Sequence, residues 1–168
     1  MRGIFRYFLP HLFVSALEDI DLVKLRNRGI RGLIVDLDNT LVAWDTYDLP
    51  ERIARWIEKA KEQGFAICIV SNALERRVAY FSRLLAIPGI SKAQKPRRGA
   101  FRVALEILGL KRNEVAVIGD QVFTDVFGGN RLGLYTILVR PLSEREFFTT
   151  RLGRFFERLI LWRFANRD

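Results

Sequence analysis

The stretch Gly32-Leu33-Ile34-Val35-Asp36-Leu37-Asp38-Asn39-Thr40-Leu41 decides the fold. Its apolar, β-branched run from Leu33 to Leu37 predicts a strand buried on both faces. The run ends in two carboxylates one residue apart and then in Asn39-Thr40, which favour a turn. A buried strand gains nothing from aspartates at its end. In an open α/β sheet, however, the carboxyl ends of the strands form the ligand-binding edge. Asp36 and Asp38 are therefore the first candidates for chemistry.

Working outward, Asp21 to Arg28 predicts a short helix closed by Gly29. Before it, Met1 to Val14 mixes Phe5, Tyr7, Phe8, Leu12 and Phe13 with Arg2 and Arg6, which reads as an apron on the core or as a membrane-contacting edge. After the central strand, Ile53, Trp56, Ile57 and Ala60 recur at helical spacing within Pro50 to Gln63, and Gly64 stops the helix. Phe65 to Val70 predicts a second buried strand that exits at Ser71-Asn72. Leu74 to Leu85 predicts a basic amphipathic helix, and Ile87 to Ser91 a weak third strand interrupted by Pro88-Gly89. Gly99 to Leu108 predicts a helix, Val115 to Ile118 a fourth strand, Asp125 to Leu132 a short helix and Tyr135 to Val139 a fifth strand. Alternating strands and helices imply a three-layer, Rossmann-like α/β fold with a central parallel sheet and right-handed crossovers. Only a loop and one helix fit between Thr40 and Ser71, which excludes a large cap domain there. The expectation is a single domain over residues 1–168, with its core at about 30–140.

With 168 residues and 49% apolar content, the chain can bury one core and is not disordered. The single cysteine, Cys68, lies in an apolar run, excludes a disulfide framework and points to a reducing compartment, the cytoplasm. No apolar run approaches the roughly 18 residues of a spanning helix. The net charge of +9 favours anionic partners: lipid head groups, nucleic acid or phosphorylated substrates.

Four strand exits carry polar residues: Asp36, Asp38 and Thr40; Ser71 and Asn72; Lys95; and Asp120 with Asp125. A parallel sheet brings these exits to one edge. Several carboxylates on one edge repel each other unless a cation lies among them, and hard oxygen ligands with little His or Cys point to Mg²⁺. The only histidine, His11, is remote in sequence from these exits, which argues against zinc. Such a set suits attack by a carboxylate on phosphorus. Two unit charges 4 Å apart repel by about 4 kcal/mol at an effective dielectric of 20, and a phosphate dianion roughly doubles that. A metal together with an ammonium such as Lys95 can offset the repulsion. The second aspartate can protonate the departing alkoxide and later activate water, while Ser71 and backbone N–H groups near Thr40 can hold phosphate oxygens. Lys92 competes with Lys95 for the cationic role, and the proline after Lys95 favours the latter.

Taken in order, Asp36-Leu37-Asp38-Asn39-Thr40-Leu41, Ser71, Lys95-Pro96 and Gly119-Asp120-Gln121 through Thr124-Asp125 resemble the four motifs of the haloacid dehalogenase (HAD) superfamily. The resemblance spans Gly32 to about Val139. It implies Asp36 as nucleophile, Asp38 as general acid and base, and Mg²⁺ held by Asp36, the Asp38 carbonyl and Asp120. Asp125 would support that shell and Lys95 would neutralise charge. The flanks, Asp19-Ile20-Asp21, Gly29-Ile30-Arg31-Gly32 and Thr150-Arg151-Leu152-Gly153-Arg154, are similar to the YqeG-type phosphatases of HAD subclass IIIA. That group includes enzymes that dephosphorylate phosphatidylglycerophosphate to phosphatidylglycerol.

Arg98 and Arg102, four apart beside Lys95, would share a helical face and could clamp an anionic head group; as bare sequence they could equally be a solvated face. In the tail, Phe148, Leu152, Phe155, Leu159 and Trp162 repeat at helical spacing, with Arg151, Arg154 and Arg158 alongside. A helix over about 143–164 would pack on the core or lie in a membrane interface, placing the protein peripherally at the inner face of the membrane. The expected activity is phosphomonoester hydrolysis of phosphatidylglycerophosphate. The alternatives are a soluble or polynucleotide phosphate as substrate, or a basic nucleic-acid-binding module with a vestigial site, which the acidic motifs disfavour.

Overall fold

The computed structural model describes residues 3–143. One six-stranded sheet organises them: β1 (Leu12–Val14), β2 (Gly32–Val35), β3 (Ala66–Val70), β4 (Gly89–Ile90), β5 (Val115–Gly119) and β6 (Tyr135–Val139). Every pairing is parallel, and the order is β1-β6-β5-β2-β3-β4. The helices are α1 (Leu22–Asn27), α2 (Glu51–Glu62), α3 (Glu75–Leu85), α4 (Gly99–Leu108) and α5 (Phe127–Asn130).

Alternation along the strands sorts the core into two layers. Leu33 and Val35 face one side, where Ile53, Trp56 and Ile57 of α2 and Phe81 of α3 pack. Ile34 faces the other, with Cys68, Val117 and the α4 residues Phe101 and Ala104. The apolar stripe that predicts α2 is the stripe it buries. Helix α1 begins where Asp21 accepts the Lys24 N–H, an N-cap that satisfies one of the orphan donors of its first turn.

Chain order places the site. From β2 the chain moves outward to β3 and β4; it then returns to the other flank of β2 as β5 and continues to β6. The junction of β2 and β5 is therefore the point where the winding reverses, and a crevice opens there at the carboxyl ends.

Three sequence expectations change. The opening segment, read as an apron or a membrane edge, contributes strand β1, paired in register with β6 from Leu12↔Ile137 to Val14↔Val139. The strand expected over Ile87 to Ser91 shortens to Gly89–Ile90, because Pro88 has no N–H to donate. The helix expected from Asp125 to Leu132 begins earlier, as a π-helical turn over Val122–Val126, and only then becomes α5. The tail helix expected at about 143–164 falls almost wholly outside the described residues. Among the described residues, no helix is long and apolar enough to cross a membrane.

Candidate active site

Asp36 is the first residue past β2, and its N–H still donates to Ile118 of β5 at 2.9 Å. Asp120 follows directly after β5. The two carboxylates therefore leave adjacent strands at the reversal point. Asp125 reaches the same place from the π-helical turn, with Oδ2 accepting the Gln121 N–H at 3.2 Å. It sits inside that turn and not at the start of the helix expected over Asp125 to Leu132. Gly119 makes this approach possible: a Cβ there would lie 2.2 Å from the Asp125 carboxyl carbon. One oxygen from each of Asp36, Asp120 and Asp125 lies within 4.8 Å of the others, and all three residues are buried.

Lys95 enters this cluster from the loop between β4 and α4. Its Nζ donates to Asp36 Oδ1 at 2.7 Å and to Asp125 Oδ1 at 2.6 Å. Its side chain is 3% exposed. Burial pulls the ammonium down, but the charges of Asp125 and Asp36 outweigh that and hold Lys95 above its usual range. Lys92, the sequence competitor, is exposed. The Lys95 loop is tied to the exit of β3: Asn72 Oδ1 accepts the Lys95 N–H at 2.8 Å, and its amide donates to the Lys95 carbonyl at 3.4 Å. Ser71 is buried, and its Oγ accepts the Ala73 N–H at 3.1 Å, leaving the hydroxyl hydrogen to donate elsewhere.

Asp120 has the least compensation. Lys95 does not touch it; Thr40 Oγ1 donates to its Oδ1 at a long 3.4 Å. Burial, then the neighbouring charges of Asp36 and Asp125, push its carboxyl up to about 9. Asp125 is pushed up to about 6, by burial first, with the Lys95 charge opposing. Three ionised carboxylates against one ammonium leave a formal charge of −2, which a divalent cation with oxygen preference would neutralise.

Asp38 stands at the rim. Its side chain is 24% exposed and paired with Arg77 of α3 at 2.8 Å. Burial holds its carboxyl above the ordinary value, and Arg77 pulls the other way. Between Asp38 and the rest of the loop, Asn39 adopts φ 62° and its Oδ1 accepts from the Trp44 N–H and Ser143 Oγ. An asparagine tolerates this left-handed conformation better than most residues.

Sequence comparison supplies the family. Over 156 residues the chain is 48% identical to "Probable phosphatase YqeG" of Bacillus subtilis, covering 93% of this chain and 91% of that protein. The chain belongs to the YqeG family of HAD-type phosphatases. A family model described as mitochondrial PGP phosphatase matches residues 5–79, and a HAD-hydrolase-like model matches residues 92–141. The chain is also 29% identical, over 178 aligned positions and 96% of its length, to phosphatidylglycerophosphate phosphatase 1 of Arabidopsis thaliana, of which it covers 49%. It thus spans about half of that plant protein. Among solved structures, a HAD family hydrolase from Streptomyces avermitilis shares the fold at TM-score 0.54 and 18% identity, covering 66% of this chain and 67% of that one.

For this YqeG-family member the structure gathers the carboxylates of Asp36, Asp120 and Asp125, joins Lys95 to Asp36 and Asp125, and links Thr40 to Asp120 and Asn72 to the Lys95 backbone, with Ser71 and Asp38 on the neighbouring strand exits. Thr40 is enclosed: its N–H bonds the Leu37 carbonyl at 3.3 Å while its hydroxyl serves Asp120. Arg98 precedes α4 and Arg102 lies in its first turn; both are exposed, and neither forms an ion pair among the described residues. Arg77 was missed by sequence reasoning. Only its place on the helix that follows Ser71 pointed toward the site.

Proposed function

We propose that this phosphatase is a Mg²⁺-dependent phosphomonoester hydrolase that acts through an aspartyl-phosphate on Asp36 and converts phosphatidylglycerophosphate to phosphatidylglycerol. The observation that carries the reading is the buried cluster of three carboxylates with Lys95 at the reversal point of the sheet. Asp36, the Asp38 carbonyl and Asp120 would hold the metal with support from Asp125, and the bound ion would supply positive charge against the phosphate dianion.

The chain's own groups carry the bond changes. A carboxylate oxygen of Asp36 forms a bond to phosphorus as the ester P–O bond breaks, and the departing alkoxide takes a proton from Asp38. Asp38, now ionised, takes a proton from water as that water attacks phosphorus. The Asp36–phosphorus bond then breaks, releasing inorganic phosphate and restoring the carboxylate. Lys95 neutralises Asp36 and Asp125 throughout, and the Ser71 hydroxyl donates to a phosphate oxygen.

The lipid reading is supported by the relatives named as phosphatidylglycerophosphate phosphatases and by a basic protein that shows no cap domain among the described residues and exposes Trp44 and Leu74 on the loops after β2 and β3. Exposed Trp44, after β2, and the exposed Arg98 and Arg102, at the start of the helix that follows the Lys95 loop, suit an anionic lipid presented at the inner face of a membrane. The test is phosphate release from phosphatidylglycerophosphate in mixed micelles beside sugar and nucleotide monoesters, with and without Mg²⁺. The lipid should turn over fastest, EDTA should stop the reaction, and Asp36→Asn should lower it by at least about a thousandfold. Release that survives Asp36→Asn removes the nucleophile; rapid turnover of a soluble ester with the lipid ignored removes the lipid.

A further inference from the structure

Arg77 uses each of its three guanidinium nitrogens on the loop that carries the catalytic aspartates. Its Nε donates to Asp38 Oδ1 at 2.8 Å, and Nη2 lies the same distance from that oxygen. Nη1 donates to the Thr46 carbonyl at 2.5 Å, and Nη2 reaches the Ala43 carbonyl at 3.3 Å. The guanidinium carbon lies 5.1 Å from the Tyr47 ring centre and 5.3 Å from that of Phe81, one helical turn further along α3. The side chain is 12% exposed. Donors engaged on three sides and aromatic rings packed beside it restrict the rotamers open to this arginine. The carboxylate it grips inherits that order. Both contacts land on Oδ1, and among the described residues no hydrogen bond engages Oδ2.

We propose that Arg77 is a positioning residue for proton transfer: it anchors one oxygen of Asp38 and leaves the other facing the leaving group. This rests on the aspartyl-phosphate reading above, in which Asp38 protonates the departing alkoxide. Without the clamp, a rim aspartate joined to its backbone by two rotatable bonds samples several rotamers, and a displacement near 1 Å costs roughly a hundredfold in rate. A lysine can replace it only in part, because a single ammonium lacks the planar fork that spans the carboxylate and two carbonyls.

A merely structural arginine would slow every substrate alike, whereas a residue that aims the proton donor matters in proportion to how much the leaving group needs a proton. The experiment compares kcat/KM for an alkyl ester, glycerol 3-phosphate, with that for p-nitrophenyl phosphate, whose leaving phenolate is stable unprotonated. Arg77→Met should lower the alkyl value by about a hundredfold and the aryl value by only severalfold. Asp38→Asn should show the same selectivity, and Arg77→Met added to it should cost little more. Exogenous guanidinium should restore part of the alkyl activity to Arg77→Ala. Circular dichroism separates folding from chemistry, and Arg77→Lys, which keeps the stem and charge, should give a smaller but equally selective loss. Equal losses on both esters in Arg77→Met or Arg77→Lys, or full additivity with Asp38→Asn, overturn the role. Asp36→Asn is the separate control. If both esters still turn over in it, the aspartyl-phosphate reading falls and Arg77's role with it; if it stops both while Arg77→Met slows both alike, only Arg77's role falls.

Discussion

Replacing Asp120 by asparagine should stabilise the metal-free protein above neutral pH. Asp120 is enclosed beside two other carboxylates, receives one long hydrogen bond from Thr40 and lies outside the reach of Lys95's donors. Its carboxyl is pushed up from 3.8 to about 9. A raised value means that the folded chain holds a proton which the unfolded chain releases above about pH 4. The associated stability is complete below the unfolded value and is lost as pH rises toward the folded one. One proton corresponds to about 1.4 kcal/mol per pH unit, so the span from pH 5.5 to 8.5 sets a ceiling of about 4 kcal/mol. Water entry and relaxation of the side chains trim the ceiling, and about 2 kcal/mol is the expected loss.

Urea unfolding in EDTA across that pH span measures the effect. Wild-type stability should fall with pH, and Asp120→Asn, which keeps shape and the acceptor for Thr40, should fall less. At pH 8.5 the variant should be the more stable by about 2 kcal/mol. Adding Mg²⁺ at a hundred times its dissociation constant should raise the wild type by about 2.7 kcal/mol and the variant by much less, inverting the order. A flat wild-type profile in EDTA, or a variant less stable than wild type at pH 8.5, would refute the claim that uncompensated carboxylate charge is stored at this edge.

Two further substitutions probe how the cluster is held. Gly119→Ala puts a methyl group 2.2 Å from the Asp125 carboxyl, so Asp125 must leave Lys95; phosphate release should fall at least about a hundredfold, and near-normal turnover would show that the close approach is dispensable. Asn72→Ala removes both side-chain bonds to the Lys95 backbone; turnover should fall about tenfold with a stability loss near 1 kcal/mol in urea, and unchanged kinetics would show that the Lys95 loop holds itself.

The parts of this architecture legible in the sequence are those specified by local pattern. Four of the six strands bury runs that are apolar throughout or broken only by Thr136, and a parallel sheet makes their exits meet whatever the loops do. That suffices to bring Asp36, Lys95, Asp120 and Asp125 together from residues up to 89 positions apart, 125 less 36. Strand β1 was not legible, because three half-buried residues between Pro10 and Ser15 carry no alternation long enough to see. They become a strand only because β6 offers a free edge beside them.

Side chains that bond across loops belong to the same class. Asn72 reads from sequence only as a polar strand-exit residue and substrate-binding candidate, and its side chain ties the Lys95 backbone; Arg77 looks like one of several solvated arginines on a basic helix and instead grips Asp38. Neither assignment has a periodicity, because each depends on where another loop arrives. Arg76 and Arg77 are neighbours of the same type, yet Arg76 is exposed while Arg77 is nearly enclosed, a difference of about 100° around one helix. Strand exits deliver the candidate site's carboxylates and Lys95 to an edge, and long-range side-chain contacts then decide which rotamers those side chains adopt. The first depends on patterns many sequences share; the second depends on single residues, so substitutions at positions such as Arg77 and Asn72 should alter rates while leaving the sheet intact.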